Sequence, residues 1–245
     1  MKMLITGGTS SLGEELIKEF YKDYSITFTY HSNLEKAKDL ASKYNSNYIS
    51  LNDIDSLQND FDIVINALGI NINPRVVEEY NEEDFRETLE VNVMLPFKVI
   101  KRNLPYMKKN NYGRIIAISS VYAIKPEVEM AGFNASKSAL NTLIKTVAKE
   151  YGEFGITANC VLPSTFESQT MLNVLKEYVH NDEEKKEYYD MLIEDSPIKR
   201  LVTTKEIAKL IKYLISDDAS FINGLTLPID GGFSIYVRYG YSSIS

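Results

Sequence analysis

Phe133 and Lys137 stand one helical turn apart in AGFNASKSAL (131–140), a stretch that reads as the opening of a helix. Residues i and i+4 share a helix face, so an aromatic ring and an ammonium are stacked together. The ring carries no hydroxyl, so the pair has one group able to exchange a proton where a tyrosine would provide two. A second chemical element lies near the N-terminus, in LITGGTSSLGEEL. There a strand turns through glycines into a helix. Gly7 and Gly8 permit a tight turn and close approach of backbone to a ligand. The helix start offers N–H groups and a positive dipole end to a pyrophosphate, and Gly13 lets helix and strand pack closely. Gly7, Thr9, Ser10, Ser11, Leu12 and Gly13 are therefore candidate phosphate contacts. Ser11 stands where a middle glycine is usual for dinucleotide binding.

Choice between the two nicotinamide cofactors is read at the end of the second strand, where an acid would hold a ribose 2′-hydroxyl and repel a 2′-phosphate. The chain has Tyr30, His31, Ser32 and Asn33 there. No acid repels a phosphate and donors are present, which favours NADP(H) over NAD(H), although no arginine or lysine is obvious beside them.

The rest of the composition narrows the classes. The 245 residues carry a net charge of −7, with 44% hydrophobic and 25% charged residues, as in an ordinary globular chain. The negative charge disfavours nucleic acid and anionic lipid as partners. One cysteine, Cys160, and two histidines, His31 and His180, exclude an internal disulfide and give no expectation of a metal site. The single cysteine fits a reducing cytosol. No G-x-S-x-G elbow, signal peptide or apolar run of membrane-spanning length is present, so no hydrolase triad and no membrane partner are expected.

Elements that would position these groups alternate along the chain. MLIT, ITFTY, NYISL, DIVINAL, RIIAISS, TANCVL and LTLPID read as seven strands, separated by amphipathic stretches such as SLGEELIKEFY and NLEKAKDLASKY. That order implies parallel pairing through right-handed crossovers, with near-continuous apolar strands covered on both faces. The expected fold is a single α/β domain over 1–245, a doubly wound sheet of about seven strands. Between Asp53 and Asn66 there is room only for a short turn. The segment from about 164 to 200 is a long insertion. Its charged part HNDEEKKEYYD reads as a solvated helix or as a lid. Two stretches, FRETLEVNVMLPFKVIKRNLPYMKKN and SALNTLIKTVAKEYGEF, are apolar on more than one face and need two partners.

Taken together, these residues resemble the short-chain dehydrogenase/reductase family over nearly the whole chain, including its 3-oxoacyl-acyl-carrier-protein reductases. TGGTSSLG is similar to the family's cofactor turn. Asp53 and Ile54 in LNDID fall where it contacts adenine. NALG, with Asn66, Ala67 and Gly69, resembles its N-N-A-G segment, departing at Ala67 and Leu68. VLPST resembles its P-G turn beside the nicotinamide, which implies contacts from Pro163, Thr165 and Phe166 and places Ser164 at the glycine. Asn92, Ser120 and Lys137 match its active-site asparagine, serine and lysine, and Phe133 occupies the place of its acid, a tyrosine. The resemblance implies a Rossmann-like fold and hydride transfer between NADP(H) and a ketone or secondary alcohol. It also implies a small-molecule or acyl-carrier-linked substrate and a cytoplasmic homodimer or homotetramer. In the family the lysine lowers the tyrosine pKa and holds the ribose, the serine steadies the substrate oxygen, and the asparagine anchors a water. With Phe133, carbonyl reduction is expected to be severely impaired, because general acid–base catalysis is worth on the order of 10²–10⁴-fold. Three readings of Phe133 stand: an altered reductase, a variant that uses another acid such as Tyr122, or a nucleotide-binding or assembly protein without turnover.

Overall fold

The computed structural model describes residues 1–235. Seven parallel strands form one sheet: β1 (Lys2–Thr6), β2 (Ser25–Tyr30), β3 (Asn47–Ser50), β4 (Ile63–Asn66), β5 (Gly113–Ile118), β6 (Ile156–Pro163) and β7 (Thr226–Ile229). Their spatial order is β3-β2-β1-β4-β5-β6-β7. The order reverses direction between β1 and β4, and a doubly wound sheet opens its ligand crevice at such a switch point, beyond the carboxyl ends of the strands.

Alternation along the strands explains why both faces are covered. Met3 and Ile5 of β1 point to one side, into a core shared with helices α1 (Ser11–Phe20) and α2 (Leu34–Tyr44). Leu4 points to the other side, into a core built with α4 (Leu95–Asn110) and α5 (Ala131–Tyr151). Helix α8 (Thr204–Ile215) completes the first layer through Ile207, Ile211 and Leu214. Between β3 and β4 the chain has only a 3₁₀ turn, Leu51–Ser56, in agreement with the short connection expected there.

The stretch before β5 is not one helix. Helix α3 (Glu82–Leu89) passes into a π-helical turn, Glu90–Met94, and then into α4. π-turns inside helices recur at functional sites, and this one holds Asn92, which is fully buried. On α4, Val99, Ile100, Leu104 and Met107 are buried while Phe97 on the outer side stays exposed.

The insertion folds into α6 (Gln169–Tyr178) and α7 (Asp182–Ile193). HNDEEKKEYYD forms most of α7, which has no fully buried residue. Tyr189 of α7 donates to Glu167 at 2.8 Å, which ties α7 to the loop preceding α6. The tail FSIYVRYGYSSIS lies mostly outside the described residues, but its first part packs on the sheet. Asp230 accepts from the N–H groups of Gly232 and Ser234, and Phe233 meets Tyr122 edge-to-face at 6.0 Å. Lys125 seals that contact: its Nζ donates to the Phe233 carbonyl at 3.1 Å and lies 4.1 Å from the ring centroid. Among the described residues no helix is long and apolar enough to cross a membrane, and no cluster of side chains could hold a metal ion.

Candidate active site

Beyond the carboxyl ends of the strands lie three adjoining cavities. The first, of about 340 Å³, is walled by Gly7, Thr9, Ser10, Tyr30, His31 and Ser32, with Asn33 and Lys36. The second, of about 200 Å³, runs from Ser10, Ser11 and Leu12 past Ala67 and Gly69 to Phe133, Lys137, Phe166 and Ser168. These two share Ser10 and Leu68, and the second shares Ser11 with a third of about 500 Å³ under the insertion.

The glycine turn has little room for anything larger. Gly7 has φ of +75°, the region that favours glycine. A Cβ on Gly13 would lie 2.2 Å from the Gly7 carbonyl, and one on Gly8 would lie 2.4 Å from the Phe28 ring. Ser10 caps α1 by accepting from the Gly13 N–H at 3.0 Å. The first-turn N–H groups at Ser11 and Leu12 have no place in the intrahelical ladder.

Sequence reasoning found no basic residue beside Tyr30 and His31; the structure places Lys36 there. Asn33 caps α2 by accepting from the Lys36 N–H at 2.9 Å, and Lys36 lines the first cavity. Its Nζ lies 3.0 Å from a Glu14 carboxylate oxygen in the first turn of α1. Lysines on an exposed helix turn read as solvated charge, so only the packing of α2 against the glycine turn reveals this one. Ser168, which caps α6 through the Met171 N–H, and Ser119 were also passed over and line the second cavity.

Strand β4 ends two residues earlier than DIVINAL suggests, and Ala67 and Leu68 leave it to form crevice wall. Asn66 is 1% exposed, and neither its amide oxygen nor its nitrogen has a hydrogen-bond partner. A buried polar group without a partner is costly, and this one sits where β4 opens onto the crevice. That orphan, the uncapped N–H groups and the glycine cradle fit a dinucleotide.

At the chemical end, Lys137 is 2% exposed. Its Nζ donates to the Ile118 carbonyl at 2.9 Å and lies 3.4 Å from the Leu68 carbonyl. It also stands 5.5 Å from the Phe133 ring centroid. Burial pushes this ammonium down to about 8, from an ordinary 10.5. Asn92 spends its amide on the Ile70 backbone, in both directions at 2.9 Å, and on Ser136. Ser136 in turn donates to the Phe133 carbonyl, so Asn92 braces the first turn of α5.

Not every expected residue meets in one place. Ser120 is buried past the end of β5, its Oγ accepting from the Tyr122 N–H at 3.2 Å, and it is not part of the second cavity's wall. Thr165 bonds the Tyr122 side chain and does not line the second cavity. Burial raises the Tyr122 phenol above its ordinary value, opposed by that bond. Pro163 ends β6 and is buried. Asp53 is exposed and Ile54 nearly buried on the 3₁₀ turn; neither lines the first or second cavity.

A parallel doubly wound sheet with a glycine cradle at its switch point and a buried lysine at the end of the same crevice defines a dinucleotide-type oxidoreductase fold. Residues 9–234 match the family model described as enoyl-(acyl carrier protein) reductase. The dehydrogenase/reductase SDR family member 6 of Danio rerio is 31% identical over 74% of each chain. The 3-oxoacyl-[acyl-carrier-protein] reductase FabG of Rickettsia felis is 27% identical over 94% of this chain and 95% of its own. The protein belongs to the short-chain dehydrogenase/reductase family of oxidoreductases. Among solved structures, ElxO with NADP bound superposes with a TM-score of 0.82 at 27% identity, covering 95% of this chain and 99% of ElxO. A tyrosine-to-phenylalanine variant of ElxO was solved with NADPH bound.

Proposed function

We propose that the protein binds NADP(H) and transfers hydride between the nicotinamide and a ketone or secondary alcohol, with turnover held down by Phe133. The observation that carries this reading is the buried Lys137 ammonium, held by strand-end carbonyls at the end of a glycine-cradled crevice. NADPH supplies the hydride. The chain's own residues do the rest. Gly7, Gly13 and the start of α1 receive the diphosphate. Tyr30, His31 and Ser32 receive the 2′-phosphate with Lys36. Lys137 grips the nicotinamide ribose, and Phe166 and Ser168 wall the nicotinamide end. Asp53 and Ile54 edge the adenine. Ser120 holds the substrate oxygen on the Tyr122 and Thr165 side.

Phe133 fills the volume of a tyrosine without its proton, so the binding surface is kept and the acid is lost. The ElxO pair supports this, since a phenylalanine form of that relative holds NADPH. The same residue favours a second reading, a nucleotide-binding protein that acts through assembly. Exposed Met94 and Phe97 offer a face for a second copy, in a dimer or tetramer. The substrate is a small or acyl-carrier-linked carbonyl compound, a class suggested by the FabG relative. The two readings part on one experiment. NADPH binding is followed by fluorescence, and NADPH oxidation at 340 nm with a ketone panel, for the protein and for Phe133→Tyr. Activity that rises about 10²-fold or more in the tyrosine form supports the reductase. Tight NADPH binding with no turnover in either form, over a broad panel, favours the second reading.

A further inference from the structure

A dinucleotide is two nucleotides joined by a diphosphate, and the crevice is two chambers joined at a waist. The first chamber, of about 340 Å³, has Tyr30, His31, Ser32 and Lys36 in its wall, and the second, of about 200 Å³, has Phe133 and Lys137. Among the described residues, Ser10 and Leu68 alone line both. Ser10 is fixed there, its Oγ accepting from the Gly13 N–H at 3.0 Å. Leu68 is half-buried, and its two ends are engaged differently. Its carbonyl lies 3.4 Å from the Lys137 ammonium. Its isobutyl group reaches back over the glycine turn, where Cδ2 stands 3.1 Å from the position that a Cβ on Gly7 would take. An apolar side chain therefore covers Gly7, the point at which the cradle would meet a diphosphate.

We propose that Leu68 is a specificity-determining residue at this waist: its side chain must swing off Gly7 before a diphosphate can cross, which weakens the whole dinucleotide relative to its adenosine half. This rests on the NADP(H) reading above. An isobutyl group offers phosphate oxygens no donor, and oxygens stripped of water without a hydrogen bond are costly. The obstacle is movable. The side chain is only half-buried, and leucine has other staggered rotamers to adopt. The backbone at 68 is not free to follow, because its carbonyl is part of the seat of Lys137. A smaller residue at 68 keeps that carbonyl and clears the cradle. Ser11 does not share the role, since it stands between the second cavity and the third.

The test compares NADPH with adenosine 2′-monophosphate, which carries base, ribose and 2′-phosphate but nothing to cross the waist. Both are titrated, NADPH by fluorescence and the monophosphate by ligand-observed NMR, against the protein, Leu68→Val and Leu68→Ala. Urea midpoints establish that each variant folds, and Leu68→Val alone decides the matter if the alanine form does not. NADPH is expected to tighten in the order Leu, Val, Ala, by up to about tenfold, the scale of holding one side chain in a poorer rotamer. Its association, followed by stopped flow, should quicken in the same order, which loss of packing alone would not cause. Affinity for the monophosphate should stay unchanged. NADPH binding that is equal or weaker in the smaller variants overturns the proposal, as does tightening of the monophosphate in step with NADPH. NADPH binding with no monophosphate binding also overturns it, because the two chambers then do not divide the dinucleotide. Each of these results leaves the NADP(H) reading standing; failure of both ligands to bind any form removes that reading as well.

Discussion

At position 133 a single oxygen atom separates this chain from a site with a phenolic acid. One turn on, Lys137 is buried with no ion-pair partner among the described residues, its Nζ meeting the Ile118 and Leu68 carbonyls. Its depression from 10.5 to about 8 means that the folded chain binds this proton less readily than the unfolded one. The destabilisation is fully present below pH 8 and fades as pH rises toward 10.5. A shift of that size corresponds to about 3 kcal/mol, so Lys137→Met is expected to raise the urea midpoint at pH 7, with the gain shrinking above pH 9. Lys36 is a second residue with a readable consequence. It faces the phosphate end of the crevice but is paired with Glu14. Lys36→Ala should weaken NADPH binding about tenfold, the scale of one charge-assisted contact, and leave NADH nearly unchanged. Glu14→Gln, by releasing Lys36, should tighten NADPH. Fluorescence titration of both cofactors measures each case. The glycines were legible from their place between strand and helix, the shared face of Phe133 and Lys137 from spacing, and the chemistry of that pair only through the family resemblance. Lys36 and Ser168 were not, because their side chains acquire a role only through where α2 and α6 begin.

Helix ends set much of the geometry. Gly13 has a neighbour carbonyl where its Cβ would go, so Gly13→Ala must push α1 off the Gly7–Gly8 turn. Overpacking of this kind costs about 1–3 kcal/mol, and it should also abolish NADPH binding by displacing the cradle; urea denaturation and titration read the two effects. At α8, Thr203 and Glu206 form a reciprocal cap, and Arg200 pairs with the same carboxylate. The Arg200 hydrogen bond, then those from Thr203, hold Glu206 down to about 2. Its contribution is therefore present above about pH 4.5 and is lost as pH falls toward 2. Thr203→Ala should cost about 1 kcal/mol at pH 7 and progressively less in acid, measured by thermal unfolding. Alternating strands and helices were easy to read, since β-branched runs and amphipathic runs have different periods. The π-turn at Glu90–Met94 was not, because no residue type marks it; within it Asn92 is braced against Ile70 and Ser136.

Across the described residues the sheet carries the crevice at one end, and two apolar layers hold it between helices. The parallel order followed from the connections, while the meeting of three cavities at Ser10, Leu68 and Ser11 required the fold itself. If the outer side of α4 seats a second copy, replacing both Met94 and Phe97 by lysine should shift sedimentation to a smaller species without loss of NADPH binding. The turn after β7 has the widest reach. Asp230 folds the chain back so that Phe233 rests on Tyr122 and receives Lys125, more than a hundred residues earlier in sequence. Strand β7 thus ends as a buttress for the Tyr122 ring. Phe233→Ala should leave NADPH affinity intact while ketone discrimination falls, as read by fluorescence titration and by relative rates over the ketone panel.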